Sequence, residues 1–251
     1  MLHFYRFNSD VLAPVPASPR YGPRRGRGSE EDCPPMRAYS AFGWDILSST
    51  DMVFLRKGEG WELEEPVDLE SDFTWEDERF AEAEQEGVPL HQRNAWFWEE
   101  DQILPHPIDP AVFPLLRNQV KVSTLHFLAT DANELLAFTD IPGMRRSFRV
   151  LEALVDTDWY PASYPWHCVL ELDPNAERVE IARAEPLCRV FSVRREHYFA
   201  REMSDREFDD YFRRSQEWIQ RHRRGESADG TSDIRGAYGS SQSLSRFSVI
   251  I

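Results

Sequence analysis

Asp156, Asp158, Trp159, Tyr160, Tyr164, Trp166 and His167 fall within twelve residues of a 251-residue chain. Carboxylates there could hold a cation or pass a proton. Indole and phenol rings offer faces for stacking, and an imidazole titrates near neutrality. The segment DWYPASYP has no regular period, so it reads as an irregular connection between strands. Such loops on a rigid β scaffold are where binding sites collect. His167 could serve as an acid/base group or a ligand, with Asp158 or Asp156 as its partner. Trp44, Trp159, Tyr160, Tyr164 and Trp166 could contact a substrate. The bland alternative is a tight corner, with the tryptophans in the core and the aspartates bonding turn amides.

Other chemistries leave weaker traces. None of the seven histidines starts an H-x-D/E pair, and there is no H-x-H or H-E-x-x-H. A metal is therefore not predicted by spacing, and oxygenase-like chemistry lacks its usual dyad. A site assembled from distant residues would draw on His126 and His167, which lie on neighbouring strand candidates, with Asp156 and Asp158 close in sequence to the second. The competing reading is a pair of satisfied sheet histidines. His167 and Cys168 are adjacent in a strand and point to opposite faces, which disfavours a Cys–His couple. Cys188 opens an apolar strand, where a small buried residue is ordinary. There is no G-x-S-x-G, no G-x-G-x-x-G and no Walker sequence. The cofactor stays unassigned.

The elements around the corner are short and β-favouring. Residues 3–7 form an aromatic strand, and a proline-rich stretch follows, with Arg20, Arg24, Arg25 and Arg27 in a glycine-bearing loop. Residues 36–56 read as two strands, MRAYSAFGWDIL and SSTDMVFLR, with a glycine that permits a bend. Four prolines make 104–118 a crossing loop. From 120 to 200, strands and turn signals alternate: VKVSTLHFLAT, LLAFT, a long strand over 148–157, WHCVLEL, RVEIAR and LCRVFSV. The pattern predicts a mainly β fold, a jelly-roll-like or β-sandwich core. One amphipathic helix is predicted over 205–223. Ser204 and Glu207 form its capping box, and Phe208, Tyr211, Phe212, Ser215, Trp218, Ile219 and His222 its stripe. The stripe is expected to pack on a sheet. Five regions result: N-terminal strands and proline-rich loop (1–60), acidic insertion and crossing loop (61–118), main β core (119–200), C-terminal helix (201–224) and Gly/Ser-rich tail (225–251).

The net charge is −15, and residues 59–101 carry 16 Asp or Glu against two Arg. Almost all the acidity is therefore local. Trp61, Phe73, Trp75, Phe80, Trp96, Phe97 and Trp98 lie in the same stretch, so it is not a plain solvating tail. It reads as a surface insertion that packs its aromatics on the core and turns its carboxylates to water, with a helix over 75–86, or as a lid or docking face for a basic protein partner. This charge argues against nucleic acid and anionic lipid as partners. No apolar run reaches the ~18 residues of a membrane helix. Three cysteines without ligand spacing and a start without a signal-peptide pattern suggest a reduced cytoplasm.

Five segments in order carry a resemblance: Pro16-Ala17-Ser18-Pro19-Arg20, Cys33-Pro34-Pro35-Met36, Gly43-Trp44-Asp45-Ile46-Leu47, Val155-Asp156-Thr157-Asp158-Trp159, and Glu185-Pro186-Leu187-Cys188 running on to Val193. Together they resemble a bacterial family known mainly as a domain of unknown function, over roughly residues 1–60 and 115–220. The resemblance implies a similar length and a helix after the last element, and it implies no reaction. The family pattern has an Asn near the position of His167, so any role tied to that Asn does not carry over. Two functions follow from the residues. The first is a small-molecule-modifying enzyme of a bacterial biosynthetic or tailoring pathway, with its pocket at the 156–167 connection. The second is a non-catalytic binding or accessory protein that uses its aromatic pocket or its acidic face.

Overall fold

Alternating burial builds the strands. In β7 (Gln119–Ser123), β12 (His167–Leu172) and β13 (Arg178–Ile181) every second side chain turns inward, the period-2 signature of a sheet with one buried face. The computed structural model describes residues 1–18, 34–64, 95–97, 114–160 and 165–223. The helix expected over 75–86, the arginine loop, Tyr164 and the tail 225–251 lie outside those residues, as does most of the acidic insertion.

The fold is mainly β and sandwich-like. A five-stranded sheet runs in the order β11 (Ala153–Val155), β9 (Glu134–Thr139), β14 (Pro186–Arg194), β3 (Trp44–Leu47), β2 (Val15–Pro16). A four-stranded sheet orders β10 (Phe148–Val150), β12, β7 and β6 (Ala95–Phe97). Strand β13 pairs with β4 (Met52–Lys57), which pairs with β5 (Gly60–Glu64), and β1 (Leu2–Arg6) pairs with β8 (His126–Thr130). The pairs are all antiparallel. One apolar core joins these sheets, with Ile46, Phe54, Val120, Leu136, Leu170, Ile181 and Val190 fully or almost fully buried. Burial of apolar area on this scale is the main force holding the sheets together.

Two expectations are corrected. The strand predicted from Met36 is instead helix α1 (Pro34–Ser40). Proline is tolerated in a first helical turn, and Met, Arg and Ala are good helix formers, so local propensity overrides the aromatic β signal. The strand begins only after Gly43, whose φ of +93° only glycine adopts readily. The single long strand over 148–157 is two strands. Its first half pairs with β12 in one sheet and its second with β9 in the other, so the chain crosses between sheets at Leu151–Glu152. Within the stretch from residue 61, the described pieces up to residue 97 form strands. Trp61 is buried in β5, and residues 95–97 return as an edge strand on β7.

The chain divides into two compact units, one holding residues 1–22 and 40–195, the other 23–39 and 196–251. All the sheets belong to the first. The second contains helix α2 (Asp205–Arg223), which forms where its capping box predicts. The Ser204 amide donates to Glu207 Oε2 at 2.9 Å and the Glu207 amide to Ser204 Oγ at 3.4 Å. On its stripe Phe208, Tyr211 and Phe212 are each about half exposed. Among the described residues no helix is long and apolar enough to cross a membrane.

Candidate functional site

The corner is built on the edge of β8. Strand β1 covers one edge, and the segment after β11 covers the other. The Trp166 amide donates to the His126 carbonyl at 2.8 Å, its indole Nε1 to the Leu128 carbonyl at 2.8 Å, and the Thr130 amide to the Thr157 carbonyl at 3.3 Å. Alternate residues of β8 thus find partners on a stretch that is not a strand. A tryptophan ring supplies one donor that a neighbouring backbone would otherwise give. Thr124 fixes the far end, with amide and hydroxyl both donating to the Trp166 carbonyl at 2.8 and 2.7 Å.

Arg195, at the end of the last strand, organises the aspartates. Its Nη1 lies 2.5 Å from Asp156 Oδ1 and its Nη2 2.6 Å from Asp158 Oδ1. Its amide bonds the Asn133 carbonyl at 2.7 Å, in the turn between β8 and β9 where Asn133 takes φ +65°. The guanidinium, followed by the Trp159 indole, holds the Asp156 carboxyl below its usual range. Asp158, and then Asp156, pushes Arg195 up. The corner therefore has one cation between two carboxylates, each fixed at an oxygen.

The rings above this clamp step from core to solvent. Trp166 is buried. Tyr160 meets it edge-to-face at 5.9 Å, and Trp159 meets Tyr160 at 6.1 Å in the same manner. Tyr160 is 41% and Trp159 65% exposed. Contacts of this geometry are favourable beyond simple burial, so the outer rings are held while still facing water. Leu154, just before the corner, is 61% exposed.

Three candidates remain, His167, Trp44 and His126. His167 opens β12 opposite Ser123 and is half-buried. Trp44 pairs with Val190 and Pro16 and is 41% exposed. It stands three strands from β11, roughly 14 Å at ~4.8 Å per strand, so the sheet separates it from the Trp159 corner. His126 is fully buried on a strand of a different sheet from His167. Its Nδ1 lies 2.5 Å from the Thr124 carbonyl and its Nε2 3.0 Å from the Leu12 carbonyl. Burial, ahead of those carbonyls, pushes its imidazole down. The neutral ring carries one N–H, so it donates to one of these carbonyls while its other nitrogen faces the second; His126 thus sits between the 8–12 loop and the β7–β8 turn with both nitrogens turned to backbone oxygens. Among the described residues no three His, Cys, Asp or Glu gather to hold a metal.

Sequence reasoning missed the arginines. Arg189 is fully buried on β14 and donates Nε to Asp45 Oδ1 at 2.8 Å and Nη1 to the Ser40 carbonyl at 2.6 Å. Burial, ahead of the lowering by Arg189, leaves the Asp45 carboxyl above its ordinary value. A charged residue inside LCRVFSV was the available signal, since a buried arginine requires a partner. Arg146 stacks over Phe148 at 4.0 Å and donates to the Pro186 carbonyl at 2.5 Å. Cys168 and Cys188 are both buried, and the neighbouring Cys168 thiol, ahead of burial, raises Cys188 well above the usual thiol range.

No family model and no curated protein matches the chain. Solved structures similar to it include a mutant dUTPase from phage phi11 of S. aureus, at 8% identity and a TM-score of 0.38, covering 82% of this chain and 97% of that one. A Staphylococcus bacteriophage 80alpha dUTPase mutant with dUpNHpp aligns at 8% identity and a TM-score of 0.37, covering 82% and 89%. Likeness this slight lends nothing to the site.

Proposed function

We propose that this protein is a non-catalytic binding or accessory module that engages a protein partner through the Trp159–Tyr160 corner. One observation carries the reading: Asp156 and Asp158 are both held by Arg195, while Trp159 and Tyr160 face solvent on a fixed base. Carboxylates locked to a guanidinium are poor proton carriers, whereas Trp, Tyr and Arg side by side are the residues that dominate protein interfaces. The edge-to-face contacts supply order before binding, which lowers the entropic cost of association. A small-molecule enzyme at the same connection would need His167 and an aspartate to act on one substrate, and Arg195 holds those aspartates on its own guanidinium.

The test is comparative affinity purification with tagged wild type, a Trp159→Ala/Tyr160→Ala variant and His167→Ala. The reading expects a partner retained by wild type and His167→Ala and lost from the aromatic variant, by at least ~30-fold in affinity, as for removal of a hot-spot ring. Equal recovery by all three would count against it. A turnover that disappears only with His167→Ala would replace it with the enzyme reading.

A further inference from the structure

Among the described residues, strands β1, β2, β5, β6, β10, β11 and β13 stand at sheet edges. An open edge shows a row of unpaired amides and carbonyls, which proteins usually blunt with charge or proline. Arg6 lies on β1, Pro16 on β2, Glu62 and Glu64 on β5, Arg149 on β10, and Arg178 and Glu180 on β13. Strand β11 has no such guard. Its residues are Ala153, Leu154 and Val155, the first two exposed and the third half-buried. It pairs with β9 on one side, and among the described residues no strand pairs with the other. Strand β6 also lacks a guard, but its flanking residues lie outside those described. Carboxylates bracket the β11 edge. Glu152 is exposed just before Ala153. Asp156 follows Val155, and with Asp158 it holds Arg195, so two carboxylates against one guanidinium leave that end net negative.

We infer that β11 accepts, as an added strand, an extended segment of a protein partner that is apolar at its centre and basic at both ends. The inference rests on the corner reading above, since the corner follows β11 directly, and it gives that partner a shape and a charge. Main-chain bonds to alternate residues of β11 hold the segment. Leu154 shares one cross-strand row with Ala137 and Phe191, so a side chain of the added strand prolongs a row that already exists. A second copy of this chain fits worse. Antiparallel pairing centred on Leu154 sets Glu152 opposite the copy's Asp156, and parallel pairing sets Glu152 beside its own equivalent; like charges so placed are destabilising. A basic-ended segment meets carboxylates at both ends instead. An edge of three residues offers few main-chain bonds, so affinity is modest and the flanking charges set the preference.

The test is fluorescence polarisation with the full chain and two pools of labelled heptapeptides. Both pools carry Val, Ile, Thr, Tyr or Phe at the central positions; one ends in lysine on both sides, the other in glutamate. The lysine pool should bind at least ~10-fold more tightly. Ala153→Pro and Leu154→Pro remove neighbouring amides, of which one faces outward and can be spared by the fold. The proline variant that melts as wild type should bind the lysine pool at least ~10-fold more weakly. Glu152→Lys, at an exposed side chain, should shrink the preference between the pools whether or not a proline variant folds. A lysine pool that does not bind, equal binding of the two pools, a preference unmoved by Glu152→Lys, or a folded proline variant that binds as wild type would overturn the inference. Affinity purification separates it from the corner reading. A partner lost from Trp159→Ala/Tyr160→Ala but kept by the folded proline variant overturns the added strand and leaves the corner. A partner kept by the aromatic variant and lost from the proline variant removes the corner and supports the strand.

Discussion

Replacing Arg189 with methionine examines the energetics of the sheet that carries the corner. Both members of the Arg189–Asp45 pair are fully buried, and the guanidinium also satisfies the Ser40 carbonyl. Arg189→Met removes the cation but keeps most of the volume, and strands a carboxylate in the core. Removing one partner of a buried pair costs about 3–5 kcal/mol, and Asp45→Leu should cost a similar amount by stranding the guanidinium. If the losses were independent, the double variant would lose about 6–10 kcal/mol. It should instead lose only about 1–3 kcal/mol, the cost of leaving the Ser40 carbonyl without its donor. The Arg189→Met loss should also shrink on acidification. Burial already raises the folded Asp45 carboxyl, and removing the cation raises it further. The folded chain then takes up a proton before the unfolded one does, so stability lost as pH rises through the folded value is recovered below it. Urea denaturation of the four proteins at two pH values gives every term. A single-variant loss below ~1 kcal/mol, or a double variant that equals the sum, would refute the reasoning.

Three further outcomes are expected. Trp166→Phe should cost about 1–3 kcal/mol in urea denaturation, because the buried Leu128 carbonyl loses the indole donor; an unchanged midpoint would mean that another group replaces it. Gly43→Ala should destabilise by roughly 1–3 kcal/mol, since its φ is +93° and an added Cβ would sit 2.6 Å from the Val190 carbonyl; a thermal midpoint equal to wild type would contradict this. Arg201, with the Ser204 amide and hydroxyl, holds Glu207 down to about 2. Its contribution to the start of α2 should be complete above pH ~4.5 and fade as pH falls toward 2. Amide exchange at the first turn should report that loss, and Glu207→Gln should flatten the profile.

Local pattern made much of this molecule legible. Alternation in β7, β12 and β13 and the Ser204–Glu207 spacing depend only on near neighbours, so they can be read along the chain. The break of 148–157 into two strands could not, because both halves are β-favouring and only their partners differ. The corner was legible as a cluster of residue types but not as a clamp. Arg195 lies about forty residues from the aspartates that it holds, and no spacing rule links them. Trp44 was harder still, because strand order, not pairing alone, decides its distance from β11. His126 looked like a ligand in sequence because nothing there shows that the Leu12 carbonyl will face its ring.

The central claim is that the Trp159 corner is a contact surface for another protein. Placing a photo-crosslinking benzophenone amino acid at position 159, with the same group at the exposed position 180 as control, tests it most directly. Irradiation in the cells of origin should give one discrete heavier adduct from position 159 and none from 180. No adduct at 159, or the same adduct at both positions, would contradict the account.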